Sequence, residues 1–373
     1  MVNRELAVTL DPSAYSATEI ENYTIAPGYD TANDYITYQN GDTHSNAFST
    51  LRVTSFNYTS ARNQIIEESI DQVAAASVFG GTYLPTGTFE LNFRGWDMHL
   101  SGFLQAALGA QTPASVASNS AHGAGYSYEL AQTPATLAVK MVDEQASDGT
   151  GTGKTLVFRG VGVTSFNLAL NVGDTVKATC NWIARRAEAF DTAYNTNSAI
   201  TGDPAVFYNA KLKWTPDGGS VEVMKCKGFT MDINRTMDQE NFFVGSEFLQ
   251  GLIYNGLTNL GGTITLGAGD WQRIRTMIVG STTDNVLDEG NKEFTGEASA
   301  GTVLSNAIPS GTFEITLHTP DGSKEVAKIT ADVAKLTEAS ADAAGRNQFN
   351  KTINWTAQIN ATDKFTIEVY NPA

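Results

Sequence analysis

The part of this chain that comes nearest to a chemical motif is Gly149-Thr150-Gly151-Thr152-Gly153-Lys154-Thr155, a glycine-rich run ending in Gly-Lys-Thr. Such runs hold phosphates when they join a strand to a helix and point backbone N–H groups and a lysine at the anion. Here the place of the motif's first glycine is taken by Asp148, whose charge would face the phosphate, and Thr155-Leu156-Val157-Phe158 reads as a strand. No nucleotide site is expected. His44, His99, His122 and His318 stand singly, without the spaced partners of a metal centre. His99 falls on a short helix and reads as a packing or surface residue. Nothing among the serines and aspartates marks a nucleophile elbow or a triad. Cys180 and Cys226 read as two free thiols, one bridge between them remaining open. Asn-x-Thr triplets begin at Asn22, Asn57, Asn234, Asn350, Asn354 and Asn360, several inside predicted strands, and read as chance. The expectation is a protein that is not an enzyme and takes no cofactor or metal.

With its 24 Lys+Arg against 40 Asp+Glu, the chain carries a net charge of −16. Nucleic-acid affinity comes mostly from basic residues that neutralise phosphates, so a DNA-binding role is disfavoured. A surface that must not hold DNA remains compatible, since like charges repel. Solubility or a salty habitat would account for the acidity equally well. No apolar run approaches a membrane span, and Met1-Val2-Asn3-Arg4-Glu5 does not look like a secretory leader. The 373 residues suffice for two domains.

The elements that must position any site are strands. Apolar and polar residues alternate in Thr88–Phe93, Val163–Leu170, Val176–Ile183, Phe229–Ile233 and Ile353–Ile359. Pro216-Asp217-Gly218-Gly219, set between 210–214 and 221–224, predicts a hairpin. Helical spacing of Trp96, Leu100, Phe103, Leu104, Ala107 and Leu108 predicts one helix stopped by Gly109, and a second short helix is expected from Asp270 through Trp271, Ile274 and Ile278 to Gly280.

These features recur. Gly87-Thr88-Phe89-Glu90-Leu91 corresponds to Gly262-Thr263-Ile264-Thr265-Leu266 and Trp96 to Trp271, each at an offset of 175 (262 − 87; 271 − 96). At that offset Gly41–His44 falls opposite Pro216–Gly219, and Ser55–Tyr58 opposite Thr230–Ile233. Val176, Ala178, Cys180 and Trp182 match Ile353, Trp355, Ala357 and Ile359 at 177 (353 − 176). The reading is an internal duplication. It gives an N-terminal arm (1–29), a first domain (30–190) with a loop insertion (110–154), a linker (191–204) and a second domain (205–373). The arm and the insertion, poor in periodicity and rich in small residues, are expected to order on contact with a partner.

The run Gly87-Thr88-Phe89-Glu90-Leu91-Asn92-Phe93, followed by the helix ending Phe103-Leu104-Gln105-Ala106-Ala107-Leu108-Gly109, resembles the tail tube (major tail) proteins of siphophages, long-tailed non-contractile viruses. So do Phe158–Leu170 with the turn Val172-Gly173-Asp174, and in the second half Phe229–Asn234 and Thr352–Val369. The resemblance covers most of residues 45–373. It implies a mainly β fold: a duplicated sandwich of two packed antiparallel sheets plus a short helix per unit, with inner sheets joining into a ring-shaped barrel. It further implies a structural virion protein, assembled in the host cytoplasm, whose rings stack into the tail tube through which DNA is ejected. Partners would be its own copies, tail terminator or neck and tip proteins, and a tape measure protein and DNA in the lumen. The family presents six tube domains per ring, so two per chain would make homotrimeric rings; one per chain would make homohexamers. Another stacking ring protein of a tail or contractile device, or a ligand-binding β-sandwich, fits the same pattern.

Alternation separates wet faces from core faces. The predicted lumen-facing residues are Thr88, Glu90 and Asn92; Asn167; Lys177, Thr179 and Asn181; Thr230, Asp232 and Asn234; and Thr352, Asn354 and Thr356. Lys177 is expected to be balanced by a nearby carboxylate.

Overall fold

A computed structural model describes residues 4–11, 49–67, 77–100, 102–109, 113–131, 135–143, 154–190, 204–216, 221–224, 226–240, 242, 244, 249, 256–266, 310–342 and 350–371. In chain order these form β1 (Arg4–Asp11), β2 (Ser49–Thr50), β3 (Val53–Glu67), β4 (Ser77–Asn92), α1 (Gly95–Leu100), α2 (Phe103–Leu108), β5 (Ala114–Val116), β6 (Gly125–Glu129), β7 (Thr136–Asp143), β8 (Lys154–Asn171), β9 (Lys177–Ile183) and β10 (Arg186–Phe190). Then follow β11 (Lys211–Pro216), β12 (Glu222–Met224), β13 (Cys226–Asn234), β14 (Asn259–Leu266), β15 (Ser310–His318), β16 (Glu325–Asp342), β17 (Asn350–Gln358) and β18 (Phe365–Tyr370). The protein is mainly β and antiparallel throughout.

Hydrogen bonding runs β3–β4–β9–β8–β13–β14–β17–β16 as one eight-stranded ladder. Among the described strands it does not close within one chain. The two 18-residue strands change neighbours partway along. The first half of β8 pairs with β7 and β10, and β7 pairs onward to β1 and β2. The first half of β16 pairs with β15 and β18, and β15 pairs onward to β11 and β12. Every pairing among β1–β4 and β7–β10 therefore has a counterpart among β11–β18. Several of the irregularities match as well. Bulges fall at Leu137/Val139 and Gly311/Phe313, and at Val163/Ser165 and Leu336/Glu338, where extra twist lets each long strand pass between ladders.

Packing shows how the halves correspond. Trp182 lies opposite Gly87 and stacks on Phe56, ring centroids 6.1 Å apart; Trp355 lies opposite Gly262 and stacks on Phe229 at 5.6 Å. Gly87 is where it is because a Cβ there would come within 2.2 Å of the Trp182 ring. Trp182 also meets Phe158 of the flanking ladder at 4.8 Å, and Trp355 meets Phe313 at 5.4 Å. Trp182 thus corresponds to Trp355 and Phe56 to Phe229, an offset of 173 in both cases (355 − 182; 229 − 56). The offsets of 177 and 175 expected for these two strands are corrected. They differ from 173 by even numbers, and a period of two cannot register an even slip.

Other expectations are revised too. The expected single helix is broken in two at Gly102, whose φ of 71° no helix accommodates. Residues 4–11, placed in the arm, form β1, and the insertion supplies β5, β6 and β7, with β7 central between β1 and β8. The predicted β11–β12 hairpin forms, with Trp214 opposite Glu222. The helix at 270–280 and the turn at 41–44 lie outside the described residues. Cys180 and Cys226 form no disulfide, and burial pushes the Cys180 thiol well up. His99 packs between Trp96, Tyr126 and Tyr128, and burial lowers its pKa.

One buried cation fastens the two halves. Arg235, just past β13, donates from Nη1 to the Ala106 carbonyl (3.2 Å) and from Nη2 to those of Leu108 (2.6 Å) and Ala131 (3.1 Å). The end of α2 leaves carbonyls without intrahelical partners, and a guanidinium satisfies several at once.

Candidate functional site

The eight-stranded ladder has one apolar and one polar face. Phe89, Leu91, Phe166, Leu168, Ala178, Cys180, Met231, Ile233, Ile264, Ile353 and Trp355 point into the core and are buried. The residues between them are exposed or half-buried. All thirteen residues singled out from the sequence lie on this polar face.

Cross-strand register arranges them in rows. One runs Asn92, Lys177, Ala169, Thr230, Thr263, Asn354, Glu338; the next runs Glu90, Thr179, Asn167, Asp232, Gly261, Thr356, Lys335. A third runs Thr88, Asn181, Ser165, Asn234, Asn259. Thr352 lies opposite Thr265 beyond the first row. Alternation had pointed to neither Ser165, Thr263 nor Glu338, although Ser165 precedes the alternating Phe166 and Leu168. Glu338 follows a bulge, which breaks the count of two.

Much of the hydrogen bonding stays within this face. Thr88 Oγ1 donates to Asn181 Oδ1 (2.6 Å), and Asn181 Nδ2 donates to Ser165 Oγ (2.7 Å). Asn167 Nδ2 donates to Asp232, the Thr230 and Thr263 hydroxyls meet at 2.9 Å, and Asn354 Nδ2 donates to Glu338 (2.9 Å). The corresponding pairs Asn181–Ser165 and Asn354–Glu338 again differ by 173 (354 − 181; 338 − 165).

Charge on these rows nearly balances: Glu90, Asp232 and Glu338 against Lys177 and Lys335. The carboxylate partner of Lys177 is Asp174, at 2.7 Å. Their hydrogen bond raises the lysine's pKa and lowers the aspartate's, so both stay charged across the neutral range. A face of short, mutually bonded amides and hydroxyls offers no nucleophile poised beside a base. Among the described residues no group of His, Cys, Asp or Glu could hold a metal ion, and no helix is long and apolar enough to cross a membrane.

No curated protein matches the chain. A family model described as phage tail tube protein matches residues 81–357. That span begins in β4 and ends in β17, and takes in both halves of the ladder apart from β3. The residues that carried the resemblance, Gly87–Phe93 and Phe103–Gly109, fall inside it, on a ladder strand and on the helix Arg235 clasps. This chain belongs to the phage tail tube proteins, structural subunits of the virion tail that assemble with their own copies into a tube.

Proposed function

We propose that the chain builds the tube of a long, non-contractile tail as stacked rings of three copies, its polar face lining the channel for ejected DNA. The observation that carries this reading is the eight-stranded ladder built from two equivalent sets of four strands. Each set is taken as one tube domain of two packed sheets, the first extending from β1 to about residue 190 and the second over 205–373. Six such domains per ring, the number the family resemblance implies, are then supplied by three chains. A pseudo-sixfold ring satisfies closed symmetry with half the subunits.

The thirteen residues would face the lumen. DNA carries one negative charge per ~1.7 Å of its axis, so a wall rich in unpaired cations would hold it. Here Lys177 is matched by Asp174, and the amides bond one another. Terminator, tip and tape measure proteins would meet the ends and interior of this tube, and assembly would take place in the host cytoplasm before the tail joins the virion. Counting chains per ring tests the stoichiometry, by native mass spectrometry or by the rotational symmetry of imaged tubes. Three per ring is expected, and six identical chains per ring would overturn it.

A further inference from the structure

We infer that the two bare edges of the ladder pair with each other between neighbouring copies, β3 of one chain against residues 337–342 of β16 of the next, in the register that joins β13 to β8 within a chain. This rests on the tube reading and adds to it a specific contact.

Among the described strands, β3 has one ladder neighbour, β4, and residues 337–342 have one, β17. Such edges present rows of N–H and C=O groups to any strand that fits. Which strand fits is written inside the chain. The offset of 173 makes β3 the counterpart of β13, and β16 the counterpart of β8. Strands β13 and β8 are already paired: Thr230 lies opposite Ala169, Asp232 opposite Asn167, and Asn234 opposite Ser165. Moving each partner by 173, down from β13 and up from β8, sets Asn57 opposite Asp342 (230 − 173; 169 + 173). It also sets Thr59 opposite Ser340 and Ala61 opposite Glu338.

Burial supports the transposition. Met231, inside the existing junction, is 0% exposed, whereas its counterpart Tyr58 is 43% exposed. Ile233 is buried and its counterpart Ser60 exposed. Beyond the strand, Arg235 is buried under α2, while Arg62 (235 − 173) is exposed. The chain looks like a junction on one side of each set and like a junction awaiting its partner on the other. Direction agrees as well: eight strands alternate, so β3 of a following copy runs antiparallel to β16. The motion that carries the first set onto the second then carries the second onto the next copy's first, a head-to-tail contact that closes a ring.

Paired cysteines test the register. Directly opposed positions fall within disulfide reach, whereas diagonal neighbours are ~7–8 Å apart. Copies carrying Ala61→Cys are mixed with copies carrying Glu338→Cys, assembled into tubes and oxidised. A covalent dimer is expected, with at least tenfold less from Thr59→Cys mixed with Glu338→Cys. The double variant Ala61→Cys/Glu338→Cys should give covalent species ending at three copies. Tubes in which neither pair links, or in which the diagonal pair links equally well, overturn the pairing and leave the tube reading standing. If the variants fail to assemble, amide exchange on the unaltered chain decides: residues 55–61 and 337–342 should become protected on assembly, and unprotected amides there in intact tubes overturn it. A chain that never forms tubes removes the tube reading itself, and this pairing with it.

Discussion

Strand β18 carries the β5–β6 hairpin along one side, Thr366 opposite Glu129 and Val369 opposite Tyr126. Its counterpart β10 has β8 as its one neighbour among the described strands. The same contrast separates β13, paired on both sides, from β3. The two halves agree in their interiors, down to a tryptophan laid across a glycine, and differ along their margins. In each case the second half receives, from the first half of its own chain, a neighbour that the first half lacks. Among the described strands the differences therefore fall on the margins of the first half, where the proposed neighbouring copy would supply the missing strand.

The strongest attempt to break this equivalence removes the two tryptophans. Trp182→Ala and Trp355→Ala should each cost about 3–5 kcal/mol, because each empties a fully enclosed site beside a glycine that cannot fill it. Urea midpoints measure both; one variant close to wild type would show that the two sites are not equivalent. The arginines sharpen the contrast. Arg235→Ala removes three hydrogen bonds, after which Leu108 keeps the Ala131 N–H but the Ala106 and Ala131 carbonyls lose the guanidinium, and it should lower subunit stability by about 2–3 kcal/mol. Arg235→Lys should recover little, since one ammonium cannot reach all three. Arg62→Ala, on the open margin, should change subunit stability by under about 1 kcal/mol while reducing assembly measured by light scattering. Equal destabilisation by both would erase the distinction between an occupied and a waiting junction.

The smallest effect concerns a charge cluster whose counterpart differs. Glu314 of β15 meets Lys213 at 2.5 Å and Lys328 at 3.0 Å; its counterpart on β7, by the matching bulges, is Lys140 (314 − 174). Burial alone would raise the Glu314 pKa, but hydrogen bonds from both lysines outweigh it and hold it below the ordinary carboxylate value. The folded chain keeps this carboxylate charged where the unfolded chain has begun to take up a proton. Its contribution is thus present above the ordinary value and lost as pH falls through the folded one. Glu314→Gln should cost at most about 1 kcal/mol at pH 7, a difference that shrinks toward zero by pH 3 when both proteins are compared by urea unfolding. A cost unchanged at pH 3 would remove the ion pairs as its cause.

What the residues reveal directly is which side of a strand is wet. Thr88, Glu90 and Asn92 sit between Phe89, Leu91 and Phe93, and a period of two places them with no knowledge of the neighbours. The same property hides register. Trp182 could be matched to Ile359 or to Trp355 with every side chain still facing correctly, and only contact with Gly87 and Phe56 decides. Strand β1 was concealed by its surroundings, although Leu6, Val8 and Leu10 alternate; β7 lay within a stretch whose small residues suggested a loop. The break at Gly102 was hidden because Trp96–Leu108 keeps its apolar spacing on both sides of it.

Strands β8 and β16 have a mechanical consequence. Each runs unbroken from the flanking ladder into the eight-stranded one, so the two layers share a backbone as well as a contact surface. Layers that only touch can slide when side chains repack, but here sliding would have to bend or stretch covalent chain. In the proposed tube, torque or bending applied to the outside would be carried into the wall by peptide bonds, at two places in every subunit. Such a rod resists shear between its skins like a laminate that has been stitched rather than glued.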